Sequence, residues 1–221
     1  DPTSLLPAPS HQSAARRKGE SSTVRLKKLV TVWDAIGDLP DLPNGGGQQE
    51  VGRPGSPFTS FQRNARRDTR KLYNHVCHGL TDVNLRRIIH VPEGGNWRDV
   101  PFDLLPAGMQ RARASDHTKR YGRLAKKGLA STLLTKCDPH WGAYVHPTQD
   151  RTISVREAAR LQGFPDVFRF AGKSMSRQYE QVGNAVPVTV ARALGETAHL
   201  HVRQTMGTVE CDTASELLAA A

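Results

Sequence analysis

The chain has 221 residues, 37% of them hydrophobic, and 31 Lys and Arg against 21 Asp and Glu, for a formal charge of +10. That length leaves room for one medium domain or two small ones. No apolar run approaches the ~20 residues of a membrane-spanning helix, the first twenty residues lack the apolar centre of a secretion signal, and Cys77, Cys137 and Cys211 stand in unrelated contexts, so membrane, secreted and disulfide-stapled classes are set aside. A basic, arginine-rich balance points to a polyanion, nucleic acid first.

Residues 1–28 are rich in Ser, Pro, Ala and Arg without apolar periodicity and read as a linker or strap. TVWDAIGDLPDLP, 31–43, places Val32, Ile36 and Leu39 on one side of a short helix capped by Thr31. NGGGQQEVGRPGSP, 44–57, is expected as a flexible loop, because Gly and Pro interrupt it repeatedly. Within 58–91, FQRNARRDTRKLYNHVC and DVNLRRIIHV are expected as two helices broken at Gly79. From Pro92 to Tyr144, short apolar pieces alternate with Gly, Pro and basic residues, a pattern of loops and short strands suited to recognition. STLLT, 131–135, is the expected strand there.

ISVREAARLQGFPD, 153–166, carries the clearest local signal. Ser154 and Glu157 make a capping box, Ile153 and Ala158 a staple, and Gly163 with Pro165 a stop, so a helix is expected from Val155 to Gln162. Arg156 and Arg160 share one face of it. In YEQVGNAVPVTVARALG, 179–195, Pro187 fits the first turn of a further helix, and Val188, Ala191, Leu194, Ala198 and Val202 mark one buried stripe. The Gly183–Asn184 turn before it either starts that helix or also presents backbone donors to a ligand. Beyond about residue 204 the periodicity is not strong enough to assign an element, and the stretch reads as a tail. Two sets, Cys77 with His75 and His78, and Cys137 with His140 and His146, resemble zinc ligands in type, but neither has a second cysteine pair, and no metal is expected. Trp33, Trp97 and Trp141 read as packing anchors.

HPTQDRTISVREAARLQGFPDVF followed by RQYEQVGNAVPVTVARALG resembles the last two conserved blocks of the DNA cytosine C5 methyltransferases. TVWDAIGDLPDL resembles the segment after that family's central blocks, and HVCHGL, WRDVP, YGRLA and STLLT resemble pieces of its target-recognition region. The resemblance implies an α/β fold: a partial Rossmann-like, S-adenosylmethionine-dependent methyltransferase, mostly the small target-recognition domain plus the C-terminal helix of the cofactor domain. It divides the chain into a strap (1–30), a target-recognition region (31–152), C-terminal motifs returning to the cofactor domain (153–203) and a tail (204–221). It implies S-adenosylmethionine as cofactor, with Gly183, Asn184, Ala185 and Val186 against it. It implies duplex DNA as partner, met by Arg120, Tyr121, Arg123, Thr132 and Thr135, with His146 and Arg151 on phosphate and Arg156 and Arg160 as braces.

Methylating C5 requires the cytosine to leave the stack, and a thiolate adding to C6 makes C5 nucleophilic. The family's glycine-rich donor loop, the Pro-Cys segment bearing that thiolate and the Glu-Asn-Val segment do not occur in this sequence. The expectation is therefore the C-terminal portion of such an enzyme, inactive alone, working with an N-terminal catalytic portion or subunit, in the nucleus of a eukaryote or on the nucleoid of a bacterium. A noncatalytic DNA-binding or regulatory module is the alternative, and a general RNA-binding protein a more distant one.

Overall fold

A computed structural model describes residues 6–7, 10–11, 27–52, 55–113 and 115–219, with side chains as far as Thr205. The chain forms two units, Val30–Ala185 and a second that joins Asp1–Leu29 to Val186–Ala221. Most of the expected strap lies outside the described residues.

In the larger unit, Thr31 caps α1 (Val32–Ile36) through a capping box with Asp34. The helix's first N–H groups, on Val32 and Trp33, donate to the carbonyls of Gly128 and Lys126. Val32, Ile36 and Leu39 are buried as the periodicity requires. A second capping box, Thr59 with Gln62, starts α2 (Ser60–Ala65). Helix α3 runs over Asp82–Ile88 and α4 over Ala107–Gln110. Ser154 and Glu157 cap α5 (Val155–Leu161) in the expected way, and Gly163 leaves it at φ +87°. Helix α6 spans Met175–Asn184.

Two expectations within 44–77 are corrected. Gly47–Gly52 is a strand, β1, and Lys71–Val76 is its antiparallel partner β2, with Gly47 opposite Val76 and Gly52 opposite Lys71. The glycines that suggested a loop are what the pairing needs. Gly47 sits at φ +105°, and a Cβ there would lie 2.1 Å from the His75 carbonyl oxygen. The helix expected over 61–77 stops at Ala65, because Leu72–Val76 are buried in succession, as in a covered strand rather than on one helical stripe. STLLT is also corrected: 131–135 is irregular, while bridges join Val145 to Arg123 and to Thr152. The stretch after 204, whose periodicity assigns no element, belongs to α7, which covers Val188–Ala219.

The principal core gathers α1, β2, α5 and α6 around Ile36, Leu72, Ile153, Val155 and Tyr179. A second cluster, with Ile88, Val91, Trp97, Met109, Tyr121 and Val145, closes under the irregular segment. The expected packing stripe of α7 is not buried among the described residues: Val188 is 65% exposed and Val202 53%.

Candidate DNA and cofactor site

Helix α5 buries three charged side chains of its own. Arg160 forks onto Asp166 with two bonds of 2.6 Å and reaches Asp38 Oδ1 at 3.2 Å and the Ala35 carbonyl at 2.8 Å. Arg156 donates to the carbonyls of Tyr73 and Pro165; burial pulls its pKa down to about 10 against the opposing charge of Asp166. Arg156 ties β2 and the 165–168 turn to α5, and Arg160 ties Asp166 and the end of α1 to it, both as internal braces.

Glu157 is fully enclosed. Burial pushes its carboxyl up, but the charge and paired hydrogen bonds of Arg151, with His146 and His75 behind them, outweigh that and hold it at about 2. Arg151 supplies the fork, Nη1 to Oε2 at 2.7 Å and Nη2 to Oε1 at 2.8 Å. His146 Nε2 stands 3.6 Å from the same carboxylate, and burial lowers the imidazole to about 4, with Glu157 opposing. Arg151 and His146, expected on phosphate, are thus inside the fold, 1% and 3% exposed.

Arg123 follows the same logic. Its guanidinium donates to the carbonyls of Val91, Ile88, His146 and Gln149 and pairs with Asp150 at 2.6 Å. Tyr121 is buried at φ +51° with Arg87 over its ring. For these four residues the expectation of direct DNA contact gives way to a framework role, because their polar groups are engaged by the protein and shielded from solvent. Arg120 differs: it is half-buried and lies 5.6 Å from the ring centroid of Trp141. Trp141, expected as a packing anchor, is 49% exposed on a turn closed by its N–H to the Asp138 carbonyl, whereas Trp97 is buried.

Thr132 and Thr135 are exposed. Thr135 lines a cavity of about 430 Å³ with His78, Thr81, Asn84, Lys136 and Ser176. His78 stacks on Tyr179 there at 5.3 Å, a feature that no sequence signal marked. The Tyr144 hydroxyl holds the segment by accepting the Leu134 N–H at 2.8 Å.

Gly183 and Asn184 form the last turn of α6, not a separate turn. A Cβ on Gly183 would lie 2.5 Å from both the carbonyl carbon and oxygen of Leu134 and 2.6 Å from Thr135 N. The glycine therefore permits close backbone approach between α6 and the 134–135 segment. Gln162 Nε2 donates to the Ala185 carbonyl at 2.5 Å and fixes the exit from α6. Asn184 is exposed, and among the described residues nothing bonds its side-chain amide; Val186 is 62% exposed. An open amide at a helix end suits one wall of a polar ligand's site.

Burial raises the thiols of Cys77 and Cys137, so both stay protonated near neutrality; the Cys211 side chain lies outside the described residues. Among the described residues no group of His, Cys, Asp and Glu is placed to hold a metal, and no helix is long and apolar enough to cross a membrane.

This arrangement has the methyltransferase-type α/β fold. A crystal structure described as a DNA modification methyltransferase encoded within an E. coli prophage superposes with a TM-score of 0.52 at 23% identity, over 79% of this chain and 47% of the other. Residues 52–199 match the family described as C-5 cytosine-specific DNA methylase. The chain belongs to that family, whose methyl donor is S-adenosylmethionine. It is 38% identical over 185 residues to DNA (cytosine-5)-methyltransferase 1A of Oryza sativa subsp. japonica, covering 76% of this chain and 12% of that one. Against DNA (cytosine-5)-methyltransferase 1 of Mus musculus the identity is 30% over 264 residues, covering 86% of this chain and 16% of the other. The chain thus spans a small fraction of the length of these relatives.

Proposed function

We propose that this chain reads duplex DNA and completes the S-adenosylmethionine pocket for methyl transfer to C5 of cytosine, acting with polypeptide that carries the family's donor loop and Pro-Cys segment. In this reading 31–152 is the target-recognition region and 153–203 returns to the cofactor domain. The observation that carries it is the seat of Gly183 on the Leu134–Thr135 backbone. That contact couples the end of α6 to the threonine-bearing segment, so a residue facing donor and residues facing DNA are positioned by one piece of backbone.

Gly183, Asn184, Ala185 and Val186 form the donor wall, with the Asn184 amide as its polar group. S-adenosylmethionine, when bound, supplies the electrophilic methyl. Thr132, Thr135 and Arg120 face DNA from the surface. Tyr121, Arg123, His146 and Arg151 act behind them, holding the irregular segment by bonds to its own carbonyls and carboxylates. A framework of this kind is the support that loop-borne recognition residues need.

The test is methyl transfer from labelled donor to cytosine-containing duplex DNA. The purified chain alone is expected to show none, and adding the polypeptide with the Pro-Cys segment is expected to produce it. In the pair, Asn184→Ala should raise KM for the donor while leaving duplex affinity unchanged. Robust turnover by this chain alone would overturn the shared-site reading.

A further inference from the structure

We propose that a second cleft in the larger unit seats a backbone phosphate of the bound duplex, with Lys119 and Arg98 as its cationic ligands. This rests on the DNA-recognition reading above and adds a site that the threonine segment does not explain. The cleft, of about 290 Å³, lies between the Gly94–Asn96 turn and the 118–125 segment, with Arg98, Thr118, Lys119 and Ser131 on its walls. Among the described residues no acidic side chain lines it. Asp99, beside Gly95, has one carboxylate oxygen accepting the Asn96 N–H at 2.8 Å.

The two walls are hydrogen-bonded to each other. Gly94 N–H donates to the Arg123 carbonyl, and Arg123 N–H donates to the Gly95 carbonyl, both at 3.1 Å, so the two segments clasp each other. Arg123, a largely buried residue of the cleft's own lining, fixes that clasp through its carbonyl contacts and Asp150. The Arg98 guanidinium is steadied over the Trp97 ring at 5.6 Å and by Asn96 Oδ1 at 3.3 Å. Lys119 is exposed and has no ion pair among the described residues.

The polar side chains on the cleft's walls are Arg98, Lys119, Thr118 and Ser131, with Asn96, whose Oδ1 accepts from Arg98, and Arg123, whose guanidinium is taken up by carbonyls and Asp150; the balance is rich in donors and suits a ligand made of acceptors with negative charge. A phosphodiester is that ligand. The major-groove edge of guanine also presents only acceptors, N7 and O6, but it carries no net charge, so cations without an acidic neighbour among the described residues of the cleft's walls favour the phosphodiester. The contact would position DNA without reading sequence, since phosphates carry none.

The experiment measures affinity of the full chain for a labelled duplex across a salt series. Replacing both cations, Lys119→Ala with Arg98→Ala, should lower the slope of log K against log salt by about 2 and weaken binding about tenfold, equally for every duplex sequence. The pair Lys119→Arg with Arg98→Lys, which keeps the charge, should restore the slope and also guards against a folding defect in the alanine pair. Single methylphosphonate substitutions in the DNA should weaken the wild-type chain at one position to which the alanine pair is indifferent. If the alanine pair behaves like Arg67→Ala, an exposed arginine outside the cleft, the phosphate site is wrong while DNA recognition stands. If the wild-type chain shows no salt-dependent affinity for duplex DNA, the recognition reading fails and this site with it.

Discussion

At the scale of single residues, the group that decides most is Glu157. It caps α5 through the Ser154 N–H at 2.6 Å while receiving the Arg151 fork, so one carboxylate joins a helix start to the loop before it. Its folded pKa of about 2 lies below the ordinary 4.5, so its contribution to stability is complete above about pH 4.5 and is lost as pH falls toward 2. His146 shifts from 6.5 to about 4. The unfolded chain therefore takes up that proton first, and stability falls as pH drops from 6.5 toward 4. A pKa depressed that far carries on the order of 3 kcal/mol of pH-dependent stability. His75 and His78, also held low by burial, add to the same stage. Urea unfolding across this range is expected to show a two-stage decline. His146→Gln should shrink the upper stage and leave most of the lower, which rests chiefly on Arg151; a midpoint constant between about pH 7 and 5 would contradict a buried neutral imidazole.

At the scale of elements, the contact between α6 and the 134–135 backbone makes a specific demand. Gly183→Ala gains up to about 1 kcal/mol of helix propensity. It also forces a Cβ to within 2.5 Å of the Leu134 carbonyl, where backbone rather than a yielding side chain must move. Overpacking of that kind typically costs about 1–3 kcal/mol, so net destabilisation in urea is expected, with donor affinity of the assembled enzyme falling in step. The same contact shows why sequence reached some elements and not others. Helices α1 and α5 were legible because their caps, Thr31 with Asp34 and Ser154 with Glu157, lie within a few residues. The pair β1–β2 was not, since its partners are separated by a helix and its glycines resemble a loop until a neighbouring carbonyl is in place. STLLT has strand propensity without a ladder partner, which propensity alone does not reveal. Among the candidate site residues, Arg120 and Arg123 are three apart in one basic run, yet one lies beside an exposed tryptophan and the other inside a shell of carbonyls. Charge identifies neither fate; tertiary hydrogen bonding does.

At the scale of the whole molecule, α7 is where packing within the described residues stops. Val188, Leu194 and Val202 fall with Ala191 and Ala198 at helical spacing, and their exposures of 65%, 46% and 53% run along a helix that begins directly after the proposed donor wall. A run of large apolar side chains facing water marks an association surface. In the proposed enzyme, that surface docks on the polypeptide carrying the donor loop and Pro-Cys segment. The two demands on α7 can be separated. Charged substitutions at exposed sites change stability by no more than about 0.5 kcal/mol, so Val188→Glu with Leu194→Glu should leave the urea midpoint of this chain unaltered. The same pair should abolish co-purification with the complementing polypeptide and with it methyl transfer, because two carboxylates would have to be buried without partners. A lowered midpoint with association intact would show instead that the stripe packs within this chain, and the docking assignment would fall.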